Sequence, residues 1–172
     1  MSERDPVGVG TLQRMNDLWV FLHIAFVALF LLFHGVQVWA LFSLEPALPE
    51  REKVFDRAEQ SRMASTPMYV SLGGLVLFGV IAGIEGDWFS HGWWLWGAIV
   101  VLLVTSGLMS AIAGPYMKKV RTATTKWADG SYPMPAGELE ALLRGPHARI
   151  IAAIGVAGLA ILLWLMVYKP GA

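Results

Sequence analysis

The chain has 172 residues, 56% of them hydrophobic and 15% charged, with a formal net charge of zero. A soluble domain carries about 25% charged residues, and a mean hydropathy of +0.56 implies more apolar surface than a core of this size can hide. Zero net charge offers no field to gather nucleic acid, and the absence of cysteine excludes disulfides, thiolate metal sites, cysteine nucleophiles and iron–sulfur clusters.

The first segment, MSERDPVGVGTLQRMND, is polar and mixed in charge. It does not read as a signal peptide, because the apolar run after it is too long and no small-residue cleavage site closes it. Four uncharged stretches follow: Leu18 to Leu44, Met63 to Ile84, Trp88 to Met117 and Ile150 to Tyr168. A helix needs roughly 20 apolar residues to cross the hydrocarbon, and only helices satisfy their own backbone hydrogen bonds there. The expectation is all-α: a single membrane domain forming a four-transmembrane-helix antiparallel bundle, with spans at 18–43, 66–86, 92–114 and 148–168.

The connecting segments set the orientation. Arg51, Lys53, Arg57, Arg62, Lys118, Lys119, Arg121, Lys126, Arg144 and Arg149 fall on one side, against Arg4, Arg14 and Lys169 on the other. The positive-inside rule puts loops 45–65 and 115–147 in the cytoplasm and both termini outside. Trp19, Trp88, Trp93, Trp94, Trp96, Trp164 and Tyr168 then gather at the outer interface, and Trp39, Tyr69, Tyr116 and Trp127 near the inner one, as interfacial anchors do. Short cytoplasmic interfacial helices are expected in both loops. EREKVFDRAEQSRM either lies at the interface or extends the second span up to Pro67, and GELEALLR forms a short helix before the fourth. Gly114-Pro115 reads as the end of the third span.

Small residues suggest how the spans meet. Gly79 and Gly83 form a GxxxG pair in the second span, Gly107 and Ala111 sit four apart in the third, and Gly155 and Gly158 mark the fourth. Such residues let helices approach closely, so spans two, three and four are expected to pack tightly within one bundle. A partner membrane protein or a second copy on these glycine-rich faces is the other use.

Polar side chains within the spans are few. The first span holds His23, His34 and Gln37. Eleven residues make almost three helical turns, so the two histidines share a face about 16 Å apart along the axis. Polar groups in a span face the bundle interior. The pair is too far apart to ligate one metal ion. If haem is bound, Met166 lies near the depth of His23 and Met109 near that of His34, and His/Met ligation is established haem chemistry. The competing expectation is a histidine hydrogen-bonded across helices. No span centre carries an acid or base, which argues against a proton pump or ion-coupled carrier.

Leu22-His23-Ile24 at the start of the first span and Val167-Tyr168-Lys169-Pro170 at the end of the fourth resemble the copper-resistance-D-like superfamily of four-helix bacterial integral membrane proteins, closest to a functionally uncharacterised branch. The shared features include a third-span exit like Gly114-Pro115 followed by basic residues. The chain is more distantly similar to the bacterial membrane protoporphyrinogen oxidases, which bind haem b. That likeness implies roles for His23 and Lys169 and makes haem b the candidate cofactor. The chain departs from the oxidase pattern where Phe30 and Phe33 replace a tryptophan and a glycine, and where Arg144-Gly145-Pro146-His147 replaces an Asn-Glu-x-Pro type motif. The resemblance implies a bacterial inner membrane. Three functions follow: a non-catalytic or accessory membrane component, a haem- or copper-binding redox protein using the first-span histidines, or a small metal or solute permease.

Overall fold

The computed structural model describes residues 6–171, with side chains from Arg14 onward. The earliest residues of the polar N-terminal segment lie outside that range. Among the described residues the chain is all-α, with five helices: α1 (Pro6–Phe42), α2 (Arg51–Glu85), α3 (Trp94–Thr124), α4 (Ala136–Arg144) and α5 (His147–Tyr168). Four of the helical stretches are long and apolar enough to cross a membrane: Arg14–Phe42, Arg51–Glu85, Trp94–Thr124 and the stretch ending at Tyr168. Large apolar side chains such as Phe21, Leu103, Val156 and Val167 are exposed on their outer faces. That arrangement is stable when the surroundings are lipid rather than water.

Two helices run past their expected ends. α2 continues through Pro67 and α3 through Pro115, so neither Gly114-Pro115 nor Pro67 ends a helix. At 1.5 Å per residue, the 35 residues of α2 extend about 52 Å. Both prolines lie toward the basic end, where water and polar side chains can satisfy the carbonyl each proline leaves without a partner. The segment EREKVFDRAEQSRM is therefore the first turns of α2 rather than a separate interfacial helix. GELEALLR does form the expected short helix, α4, beginning at Ala136.

Packing follows pairs. α1 lies most extensively along α2, and α3 along α5. α2 and α3 meet less, and α1 and α5 only slightly. This differs from the expectation that the glycine-bearing spans two, three and four pack tightest together. The glycines of α2 serve α1: a Cβ on Gly74 would collide with the Phe26 ring, and one on Gly79 would lie 2.7 Å from His23 Nδ1. Bulky residues of α1 fill the hollows that the α2 glycines leave, so shape complementarity rather than backbone contact joins the pair. Gly158 receives Thr105 of α3 in the same way. Gly107 and Ala111 instead face outward.

Two apolar clusters close the bundle at its ends. At the basic end, Leu41, Leu44, Val54, Ala58, Val120 and Leu139 are buried together with other residues of α3, α4 and α5. Tyr116 belongs here, at 6% exposure, and is a core residue rather than an interfacial anchor. At the other end, Trp94, Leu95, Ala98 and Leu165 form a smaller cluster. Trp94 is 2% exposed, which likewise removes it from the interfacial belt. Its indole N–H donates to the His91 carbonyl at 3.2 Å, as a buried tryptophan requires.

The long connection between α3 and α5 is tied down at its middle. Arg51 Nη1 donates to the Met134 carbonyl at 2.7 Å, and its guanidinium lies 4.7 Å from the centre of the Tyr132 ring. A turn at Trp127–Ser131 is closed by a backbone bond and by Asp129, which accepts from the Ser131 amide and hydroxyl.

Candidate functional site

Between the two apolar clusters all four long helices contribute to one cavity of about 220 Å³. α1 offers Phe30, His34 and Gln37 to it. α2 offers Ser61, Arg62, Ser65 and Tyr69. α3 offers Thr105, Ser106, Met109, Ser110 and Arg121, and α5 contributes Gly155 and two leucines. The order along each helix gives the cavity three levels. Arg62 and Arg121 stand at the basic end. His34, Gln37 and the hydroxyls occupy the middle. Leu72, Leu102 and Leu162 form the far floor.

The periodicity of the helices explains this convergence. Ser61 and Ser65, and Ser106 and Ser110, each stand four residues apart and so share one face. Gln37 Nε2 donates to Ser65 Oγ at 3.1 Å, and Ser65 Oγ in turn donates to the Ser61 carbonyl at 3.0 Å. That chain links α1 to α2 and leaves the amide oxygen of Gln37 as a spare acceptor.

The two histidines have different surroundings. His23 Nδ1 donates to the Leu75 carbonyl of α2 at 2.7 Å. Leu75 stands four residues before Gly79, so the imidazole reaches the α2 backbone through the gap that Gly79 leaves. His23 is thus an interhelical tie, and it does not line the cavity. His34 does line it. Its ring stacks on Phe30, with centroids 5.5 Å apart and planes at 9°. Among the described residues it makes no hydrogen bond, and neither do the hydroxyls of Thr105, Ser106 and Ser110. His34, Thr105 and Ser106 are half-buried and Ser110 is exposed, so this middle level presents donors and acceptors that no protein group occupies.

Met109 joins His34 at the cavity. The point where a Gly155 Cβ would sit is 3.7 Å from His34 Nε2 and 3.8 Å from Met109 Cε. The absence of a side chain at Gly155 is what keeps space open between them. Met166 lies elsewhere, 37% exposed on α5. Lys169 caps α5 in the left-handed conformation at φ 44°, and its ammonium lies 5.3 Å from the Trp88 ring centre and 5.5 Å from that of Trp94. Such contacts stabilise by roughly 0.5–2 kcal/mol and pin the end of α5 to the α2–α3 turn. Of the five residues singled out in the sequence, the structure thus brings His34 and Met109 to one cavity, while His23, Met166 and Lys169 stand outside its lining.

The fit to haem is poor. Drug-sized ligands occupy roughly 300–1,000 Å³, and a porphyrin needs more than the about 220 Å³ present here. His34 and Met109 do not hold a macrocycle between them in this packing. Nor do three or more His, Asp or Glu side chains of the described residues come together as a metal cluster.

The cationic rim is a feature that the charge count alone did not locate. Arg62 donates from Nε to Glu59 Oε1 at 2.7 Å and pairs with the same oxygen through Nη2. Arg121 lies near enough for its charge to act on Glu59, yet it has no ion-pair partner among the described residues. In the sequence both arginines read only as loop charge. The signal available was their helical spacing from the serines: Arg62 adjoins Ser61, and Arg121 lies eleven residues, about three turns, beyond Ser110. Comparison with protein-family models, with curated proteins and with solved structures gave no match, so the functional reading rests on the residues of this cavity.

Proposed function

We propose that this chain is a non-catalytic multi-pass membrane protein that receives a ligand in the cavity between its four spans. The observation that carries the reading is His34: an imidazole within an apolar span, lining a cavity, with no hydrogen-bond partner among the described residues. An ordinary structural histidine is satisfied by a neighbour, as His23 is by Leu75. The apolar clusters at both ends of the bundle favour holding a ligand over passing one through. Among the described residues none of the cavity hydroxyls is hydrogen-bonded to His34 as an activating base would require, and no paired carboxylate or metal cluster stands among the cavity residues, so the lining lends catalysis no support. The charge bias supports an orientation with both basic loops in the cytoplasm and both termini outside. The copper-resistance-D-like resemblance supports a bacterial inner membrane.

A specific observation also favours an accessory role beside another membrane protein or a second copy. Gly107 and Ala111 are exposed, and a Cβ on Gly107 would meet nothing within 4 Å. Small residues four apart on a lipid-facing surface suit close helix approach.

Native mass spectrometry of the protein released from its own membrane tests the ligand reading. The expected result is a retained small-molecule adduct that Gly155→Leu, which fills the space between His34 and Met109, removes while the helix content stays unchanged. Adduct-free protein from the native membrane, with Gly155→Leu as stable as the parent, would contradict it.

A further inference from the structure

The cavity is graded along its length in the order of a lipid's own chemistry. At the basic end Arg121 stands without an ion-pair partner, next to Arg62, whose side chain is 56% exposed. Lys118 and Lys119 are exposed on the same end of α3. The middle level presents Ser106, Ser110, Tyr69 and the spare Gln37 oxygen, which are donors and acceptors of neutral polar groups. The far floor is apolar, made by Leu72, Leu102 and Leu162. A water-soluble anion matches only the first level, and an apolar hydrocarbon only the last.

Access is lateral rather than axial. The buried cluster around Val54, Val120 and Leu139 blocks the basic end of the bundle axis. Tyr69, 52% exposed, and Arg62 both line the cavity and both lie open to the surroundings. They stand on α2 seven residues apart, about two turns, and so mark one edge. Arg121 and Gly114 mark the facing edge on α3, two helices in limited contact with each other. The opening between α2 and α3 therefore faces the bilayer, with its arginines toward the basic boundary of the membrane. Basic pockets between spans on the cytoplasmic side are where anionic headgroups bind.

We infer that the occupant of this cavity is a membrane phospholipid with an anionic headgroup, which enters sideways between α2 and α3. Its phosphate sits on Arg121, beside Arg62, whose guanidinium already holds Glu59, its glycerol ester region meets the hydroxyls and Gln37, and the first methylenes of one acyl chain lie toward Leu72, Leu102 and Leu162. A cavity of about 220 Å³ holds only that part of the lipid, and the rest of both chains stays in the bilayer. This assignment rests on the cavity being a ligand site and adds the chemical class of the ligand.

The test uses the full chain in nanodiscs of equal phosphatidylglycerol and phosphatidylcholine, released into native mass spectrometry. The parent retains phosphatidylglycerol in preference to phosphatidylcholine. Arg121→Gln lowers that preference by about fivefold, the effect of one basic group at a membrane surface. Leu102→Trp, which fills the apolar floor, removes retained lipid of both kinds while circular dichroism stays at the parental helix content. Arg121→Lys, which keeps the charge, restores most of the preference. Equal retention of the two lipids by the parent, or a preference that Arg121→Gln leaves intact, overturns the assignment. An adduct from the native membrane that is lost in Gly155→Leu but has no lipid mass also overturns it, while leaving the ligand-binding reading in place.

Discussion

His23 holds α1 against α2 through one hydrogen bond to a backbone carbonyl. Interhelical hydrogen bonds in membranes average about 0.6 kcal/mol and reach about 1.7, so His23→Ala is expected to lower stability by at least that much in a detergent-titration unfolding assay. Gly79→Leu acts on the same contact from the other side. Its side chain occupies the place of the imidazole, and overpacking of this kind costs about 1–3 kcal/mol. His34→Ala breaks no protein hydrogen bond and is expected to change stability by under about 1 kcal/mol. Equal losses from His23→Ala and His34→Ala would refute the division of labour between them. Asp129 shows a pH effect outside the membrane. Its hydrogen bonds from the Ser131 hydroxyl and amide hold its carboxyl below the ordinary value. A carboxylate whose folded pKa is depressed stabilises fully above its unfolded pKa and loses that contribution as pH falls through the folded value. Amide-exchange protection at Ser131 is therefore expected to fall as pH drops below about 4, and Asp129→Ala should remove the pH dependence.

The lengths and apolar composition of the spans made the helices legible from sequence alone, because a bilayer leaves the backbone no other solution. Pro67 and Pro115 misled at the boundaries. In water a proline ends most helices, but in a membrane span the rest of the backbone has no competing solvent to bond, so both helices run on through their prolines. The partners of the glycines were not legible either. Gly74 and Gly79 announce that something approaches closely, but not whether it is a backbone or the rings of Phe26 and His23. The short helix α4 was legible as the run GELEALLR before the fourth span, and its burial gives it weight: Leu139 is 1% and Leu143 3% exposed. Leu139→Ala is expected to destabilise by about 2–5 kcal/mol, read in the same unfolding assay. A surface helix merely resting at the interface would show no such loss. The cavity itself was half legible. The shared face of His34 with Gln37 pointed inward, and Met109 was matched to it by depth. Arg121 and Gly155 were not, since their role depends on the tilt and pairing of helices rather than on any one segment.

At the scale of the whole molecule, two pairs, α1 with α2 and α3 with α5, are joined at the basic end by one apolar cluster, while a smaller one ties α3 to α5 at the other end. Between the clusters lies the cavity, with His34, Gln37 and the hydroxyls at its middle and Arg62 and Arg121 at its basic end. The charge bias orients the assembly, and reporter fusions at Phe55, Phe89 and Thr125 check it. Phe55 and Thr125 should report as cytoplasmic and Phe89 as external; the reverse pattern would invert the orientation and put the arginine rim in the outer leaflet. The central claim is that a polar, ligand-accepting cavity lies among the four spans. Because the chain contains no cysteine, single-cysteine labelling in intact membranes reads that claim without background. Ser106→Cys, which faces the cavity, is predicted to react with a small membrane-permeant maleimide because the polar lining lets its thiol ionise, while Leu103→Cys, 66% exposed on the outer face of the same helix, stays unlabelled in lipid. Equal labelling of the two positions, or labelling of Leu103→Cys alone, would contradict it.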